Sequence, residues 1–171
     1  MTNSPNTAIT RLTAAAIIQR SDGYFLFVEE PSQGRFVFNQ PSGTWEPGET
    51  LPQTASREAA EEAGVIFQPT SFLGMFVTHH RNSSGVNVCS IRAAFAGEIL
   101  PGAPGVPRDP TIIRSVWMSY DEIMQHRERH RSSAVMRCLD VFQSGKLLPM
   151  ESLNEMDDVL RAQGGAGGAS R

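Results

Sequence analysis

Apolar positions fall in short runs along most of this chain, separated by tight polar breaks. Residues 12–19 form an apolar run, Ser21-Asp22-Gly23 is a turn signal, and residues 24–29 are aromatic and β-branched, which predicts a hairpin. Ser32-Gln33-Gly34 breaks the chain before a short strand at 36–39. Pro41-Ser42-Gly43 and Pro47-Gly48 then mark a loop with a bend at each end.

The pattern changes period at Thr50. Thr50-x-x-Gln53 reads as a capping box, and Pro52 falls in the first turn, where no intrahelical donor is lost. Leu51, Ala55, Ala59 and Ala63 repeat at i+4 and make a narrow apolar stripe, suited to close packing on a sheet. Gly64 supplies the left-handed stop. The period then returns to strands at 72–78 and 86–95, joined by the Arg81-Asn82-Ser83-Ser84-Gly85 turn. Residues 101–110 carry four prolines and predict an irregular loop. A strand at 112–118 follows, then a short helix capped by Ser119-x-x-Glu122. A last helix starts at Ser132 or Ser133, carries Val135, Cys138, Leu139 and Phe142 on one face, and stops at Gly145. Residues 1–10 read as a loose polar leader, 11–150 as one domain, and 151–171 as an extension whose Gly/Ala/Ser end is expected to be disordered.

Composition narrows the classes. A chain of 171 residues with 40% apolar and 19% charged residues is sized for one domain with its own core. A net charge of −3 and a pI near 5.8 exclude a broad basic surface for nucleic acid. Cys89 and Cys138 are too few for a disulfide framework or a zinc site and lie in apolar patterns, so both are expected to be buried free thiols. No apolar run approaches the ~18 residues of a membrane span. The polar start carries no signal peptide, so the expected setting is the cytoplasm.

The chemistry concentrates on the central helix. Glu58, Glu61 and Glu62 fall within five positions, and helical spacing makes Glu58 a neighbour of both others. Stacked like charges destabilise a helix unless a cation joins them. An all-oxygen ligand set suits a hard ion, magnesium with manganese as a substitute. The alternative for such a helix is a solvated charged face. It is set aside on a resemblance that also takes in Gly43, Glu49, Arg57 and Gly64.

Together these residues read Gly43-x5-Glu49-x7-Arg57-Glu58-Ala59-x-Glu61-Glu62-x-Gly64-Val65. The pattern resembles the Nudix box, with every fixed identity present and Ala59 where a leucine is usual. The resemblance covers residues 8–150 and implies an α/β fold, the Nudix α/β/α sandwich with a mixed β-sheet between helices. The segment Phe38-Asn39-Gln40-Pro41-Ser42-Gly43, with Trp45 and Glu49-Thr50-Leu51 after it, is similar to the NudJ-type bacterial phosphatases, as is the region from Cys138 to Pro149. Ser42 stands where that group often has alanine. The likeness implies a magnesium-dependent phosphohydrolase that releases orthophosphate from nucleoside tri- and diphosphates and from the thiamin pyrimidine pyrophosphate. The partner is then a small phosphorylated substrate, with no nucleic acid and no membrane, and the protein is a monomer or homodimer. Two alternatives stay open. One is a Nudix pyrophosphohydrolase acting on ADP-ribose, a dinucleoside polyphosphate or an oxidised nucleotide. The other is a non-catalytic nucleotide sensor.

On this reading Glu58, Glu61 and Glu62 hold the metal, and Glu58 takes a proton from the attacking water. Arg57 pairs with Glu49 or Glu61 and fixes the glutamates; Gly43 and Gly48 allow close approach or positive φ. By resemblance only, a carbonyl near Ser42 or Gly43 completes the coordination. Further candidates each carry two readings. Arg92 points into the cleft toward phosphate or makes a structural ion pair, and Trp45, Phe36 or Phe38 stacks on a base or packs the core. Glu98 and Asp109 are candidate loop ligands; His79 and His80 contact substrate or lie on the surface. His126 and His130 clasp a metal or sit in a solvated charged run.

Overall fold

The computed structural model describes residues 8–82, 84–102 and 109–154. The leader up to residue 7, Ser83 in the predicted turn, the middle of the proline-rich loop (103–108) and the Gly/Ala/Ser tail lie outside the described residues.

Two sheets carry the fold. The first contains β1 (Ala8–Ile18), β4 (Ser42–Thr44), β5 (Phe67–Arg81) and β6 (Asn87–Ile99), in the order β4-β1-β6-β5. Its β1–β6 pair is parallel and its other pairs antiparallel, so the sheet is mixed, as expected. The second contains β2 (Phe25–Ser32), β3 (Arg35–Asn39) and β7 (Arg114–Met118), all antiparallel, in the order β3-β2-β7.

The predicted hairpin of the first two strands is corrected here. A single bridge, Gln19↔Phe25, closes the turn, and then β1 and β2 diverge into different sheets. The reason lies in the unbroken apolar run of β1. Ala14, Ala16 and Ile18 enter one core cluster, and Ala15 and Ile17 enter another on the opposite face. A strand buried on both faces belongs inside a layered sandwich, with neighbours along both edges. Here those neighbours are β4 and β6. The expected leader also loses its last three residues, because β1 begins at Ala8, paired with Asn87.

The box helix is α1 (Leu51–Ala63). Its capping box is complete: the Thr50 hydroxyl accepts from the Gln53 backbone N–H, and the Gln53 side chain accepts from the Thr50 N–H. Gly64 adopts φ 70° at the other end. Leu51, Ala55, Ala59 and Ala63 are buried against Ala14, Ala16, Ala93 and Phe95. Alanine in the stripe brings the helix axis close to the sheet, which sets how near its polar face lies to β4. The opposite face of the sandwich is closed by α2 (Tyr120–Gln125) and α3 (Ala134–Gln143), through Ile123, Val135, Cys138 and Leu139. Ser119 caps α2 as its spacing implied, whereas Ser133 precedes α3 without a side-chain cap. Past residue 150 the chain still packs, through Met150 and Leu153. No helix among the described residues is long and apolar enough to cross a membrane.

Replacing Thr50 with alanine removes one half of the capping box and is expected to lower stability by about 1 kcal/mol. Chemical denaturation would show this as a lower midpoint with an unchanged slope.

Candidate active site

The segment Gln40-Pro41 carries the chain from β3 in one sheet to β4 in the other. It is pinned on the way, because the Pro41 carbonyl accepts from the Ala16 N–H at 2.9 Å. This places β4 directly over the polar face of α1. A Cβ on Gly43 would lie 2.0 Å from Glu58 Oε1, so only glycine lets the strand pass that carboxylate. The next residue back, Ser42, donates its backbone N–H to Glu62 Oε2 at 2.8 Å.

Arg57 organises the acidic face. Its Nε and Nη2 hold the two oxygens of Glu49 at 2.6 and 3.1 Å, a two-point fork. Nη1 reaches Glu58 at 2.6 Å and Glu61 at 3.1 Å, and Nη2 also reaches the Thr44 carbonyl at 3.0 Å. The sequence left open whether Arg57 pairs with Glu49 or Glu61; it pairs with both, and with Glu58. Thr54 adds a hydroxyl donor to Glu49 at 2.8 Å. The Arg57 hydrogen bonds hold the pKa of Glu49 below the usual carboxylate range, and the carboxylates raise that of Arg57 in turn.

Glu58 and Glu62 behave differently. Both are buried, and burial pushes both upward, Glu62 to about 8. The Ser42 N–H works against this shift at Glu62, while Glu58, Glu30 and Asp109 reinforce it. A buried carboxylate beside further carboxylates is costly as an anion, and a hard divalent cation would restore the charged form. The oxygen-only donors of Glu58, Glu61 and Glu62 therefore fit such an ion. Among the described residues they are not already gathered around a common point, because the Arg57 fork holds Glu58 and Glu61.

The other candidates separate. Arg92 is buried beneath the β3–β4 loop and makes no ion pair among the described residues. Its Nη1 donates to Gln40 Oε1 at 3.1 Å, and its Nη2 donates to Asn39 Oδ1 at 3.2 Å and Ser42 Oγ at 3.3 Å. Trp45 is half-buried against the α1 side of the core and donates its indole N–H to the Glu49 carbonyl at 2.8 Å. Phe38 is core and Phe36 is exposed. Asp109 donates its backbone N–H to the Glu61 carbonyl at 3.1 Å, bringing it near the acidic face. Glu98 is exposed on β6. His79 and His80 line an open cavity of about 450 Å³ with Arg81 and Cys89 at the far end of the first sheet. The surface reading of the 126–131 run fails at His130, which is buried with Nε2 at 2.9 Å from the Ile123 carbonyl. His126 packs its ring near Phe38 instead, so the two histidines have different partners. Cys138 is buried, but Cys89 is only half-buried.

Sequence reasoning missed Glu30, Asn39 and Gln40 as parts of this site. Asn39 donates to Glu30 Oε1 at 3.1 Å and to Ser42 Oγ at 3.0 Å, and Gln40 donates to the Val135 carbonyl at 2.9 Å. Two adjacent amides between an apolar strand and a proline are a signal, since buried amides need partners on every side. Nothing local told which partners those were.

Residues 9–138 match the profile of the NUDIX domain. The chain belongs to the Nudix family. It is 34% identical over 146 residues to the phosphatase NudJ of Escherichia coli K12, an alignment covering 85% of this chain and 92% of that one. A Nudix hydrolase structure from Nitrosomonas europaea superposes with a TM-score of 0.77 at 35% identity, over 87% of this chain and 99% of the other. The fold is also shared with the Nudix domain of Shewanella oneidensis NrtR, solved with ADP ribose, at a TM-score of 0.61 and 13% identity, covering 81% and 88% of the two chains. The protein is a Nudix hydrolase. Nudix hydrolases act on small nucleotide-linked substrates and generally use divalent metals.

The raised pKa of Glu62 has a thermodynamic consequence. Between pH 7 and 8 the folded, metal-free protein holds a proton at Glu62 that the unfolded chain has lost, so stability falls as pH rises. His130 works in the opposite sense, but only below its ordinary value of 6.5. Thermal midpoints measured in a chelator should drop across pH 7–8, and a divalent cation should flatten that slope.

Proposed function

We propose that this Nudix hydrolase is a magnesium-dependent phosphatase of the NudJ type. It would act on nucleoside tri- and diphosphates and on the thiamin pyrimidine pyrophosphate, and release orthophosphate in the cytoplasm. The observation that carries the reading is the pair of buried carboxylates on α1, Glu58 and Glu62, set against β4 and organised by Arg57. The identity to NudJ over most of both chains supports the substrate class.

Phosphoanhydride cleavage needs charge neutralised on phosphate oxygens, a positioned water and a base. Magnesium, held by Glu58, Glu61 and Glu62, would supply the first and make the water more acidic. Glu58 is the base: Arg57 holds its Oε1 at 2.6 Å, which leaves the second oxygen for the proton. Glu62 is oriented by the Ser42 N–H on one oxygen, which would leave the other for the ion. Arg57 fixes three glutamates at once and so sets their spacing. Arg92 holds the loop that leads into the box, and Trp45 holds the backbone of Glu49 within it.

Two experiments test this reading. Incubation with magnesium and a panel of nucleoside tri- and diphosphates plus the thiamin pyrimidine pyrophosphate should yield orthophosphate from several of them. Pyrophosphate with a nucleoside monophosphate would instead indicate a Nudix pyrophosphohydrolase for ADP-ribose, a dinucleoside polyphosphate or an oxidised nucleotide. No turnover on any of them would favour the nucleotide sensor. Second, Glu62→Gln should lower the magnesium-dependent rate by orders of magnitude with the fold intact. Near-normal turnover in the folded variant would remove Glu62 from the metal site.

A further inference from the structure

We infer that Arg92 is a positioning residue for the metal site, acting on Glu62 through Asn39, Gln40 and the β3–β4 loop rather than by touching the substrate. This rests on the reading that Glu62 is a metal ligand.

Arg92 sits on β6, level with Thr13 of β1 and Phe76 of β5, and is 9% exposed. A guanidinium that deep ordinarily takes a carboxylate partner. Here it takes neutral oxygens from three of the four residues that lead into the box: Asn39, Gln40 and Ser42. Each contact constrains the loop differently. The bond to Asn39 Oδ1 fixes that amide so that its NH₂ faces Glu30 and Ser42 Oγ. The bond to Gln40 Oε1 leaves its NH₂ for the Val135 carbonyl, which ties the loop to α3. The bond to Ser42 Oγ meets the residue whose backbone N–H holds Glu62 at 2.8 Å.

The path from guanidinium to box carboxylate is therefore two hydrogen bonds and one residue of backbone. Its charge is shared the same way. Glu30 and Glu62 lie one donor group beyond the contacts of Arg92, so the buried cation faces two carboxylates through Asn39 and Ser42. Partners one step outside a metal's ligands typically change metal affinity about 10- to 100-fold when removed.

The test uses the full chain with its metal removed, titrated with Mn²⁺ by electron paramagnetic resonance, alongside hydrolysis kinetics. Variants are Arg92→Met, Arg92→Lys and Asn39→Ala, each checked for fold by circular dichroism and thermal midpoint. Arg92→Met and Asn39→Ala should each weaken Mn²⁺ binding by up to about 10-fold, the lower end of what loss of a group bonded directly to a ligand costs, since both lie one step further out. The double variant should lose less than the product of the two single losses, because both variants free the same Ser42 hydroxyl. Arg92→Lys should recover part of the loss, and KM at saturating metal should stay at the wild-type value while kcat falls. If Arg92→Met does not fold, Asn39→Ala alone decides. Unchanged Mn²⁺ binding with a raised KM would overturn the inference and place Arg92 on the substrate. A wild-type protein that binds no Mn²⁺ would overturn the metal reading of Glu62 itself, whereas tight wild-type binding matched by the variants would sink only the role of Arg92.

Discussion

Negative charge held close together, and partly out of water, is the constraint on which this structure depends. Glu49, Glu58 and Glu61 surround one guanidinium, that of Arg57, Glu62 lies beside them on the same helix, and Glu58 and Glu62 are buried. Such a face opposes folding by its own repulsion and desolvation. It is tolerated because the opposite face of α1, Leu51, Ala55, Ala59 and Ala63, is buried against the sheet. The helix is thus divided: one stripe is buried in the core, and the other is kept under an electrostatic tension that a hard cation would relieve.

The loop between β3 and β4 converts that tension into geometry. It leaves one sheet and enters the other, so its path is fixed by both. Pro41 is held by β1, Gln40 by α3, and Asn39 and Ser42 by Arg92 of β6. What it delivers to α1 is small: a glycine that clears Glu58 and an N–H that meets Glu62. Displacement of that N–H by about 1 Å would lose the hydrogen bond, and catalytic groups require comparable accuracy. Several elements therefore converge on a few backbone atoms.

The same fold is shared by proteins at very different sequence identities, and identity separates what can be transferred. The Nitrosomonas europaea hydrolase and NudJ are about one-third identical across nearly their full lengths. The NrtR domain shares the fold at 13% identity and speaks to architecture alone.

Much of this protein was legible in the residue order because it is local. The capping box of Thr50 and Gln53, the alanine stripe, the left-handed Gly64 and the glutamates of α1 all depend on spacings within one helix. Arg57 was read as the organiser partly for the same reason, since Glu61 lies one turn from it. The sequence by itself thus determined the helix, its acidic face and the family. It could not decide where β1 goes, because an apolar run shows that a strand is buried but not which strands flank it. Nor could it place Arg92 under Asn39, some fifty positions away, or show that Glu30 and Asp109 approach Glu62. Those contacts exist only once two sheets and a helix close on one another: long-range register, not local spacing, sets which buried polar groups must satisfy each other.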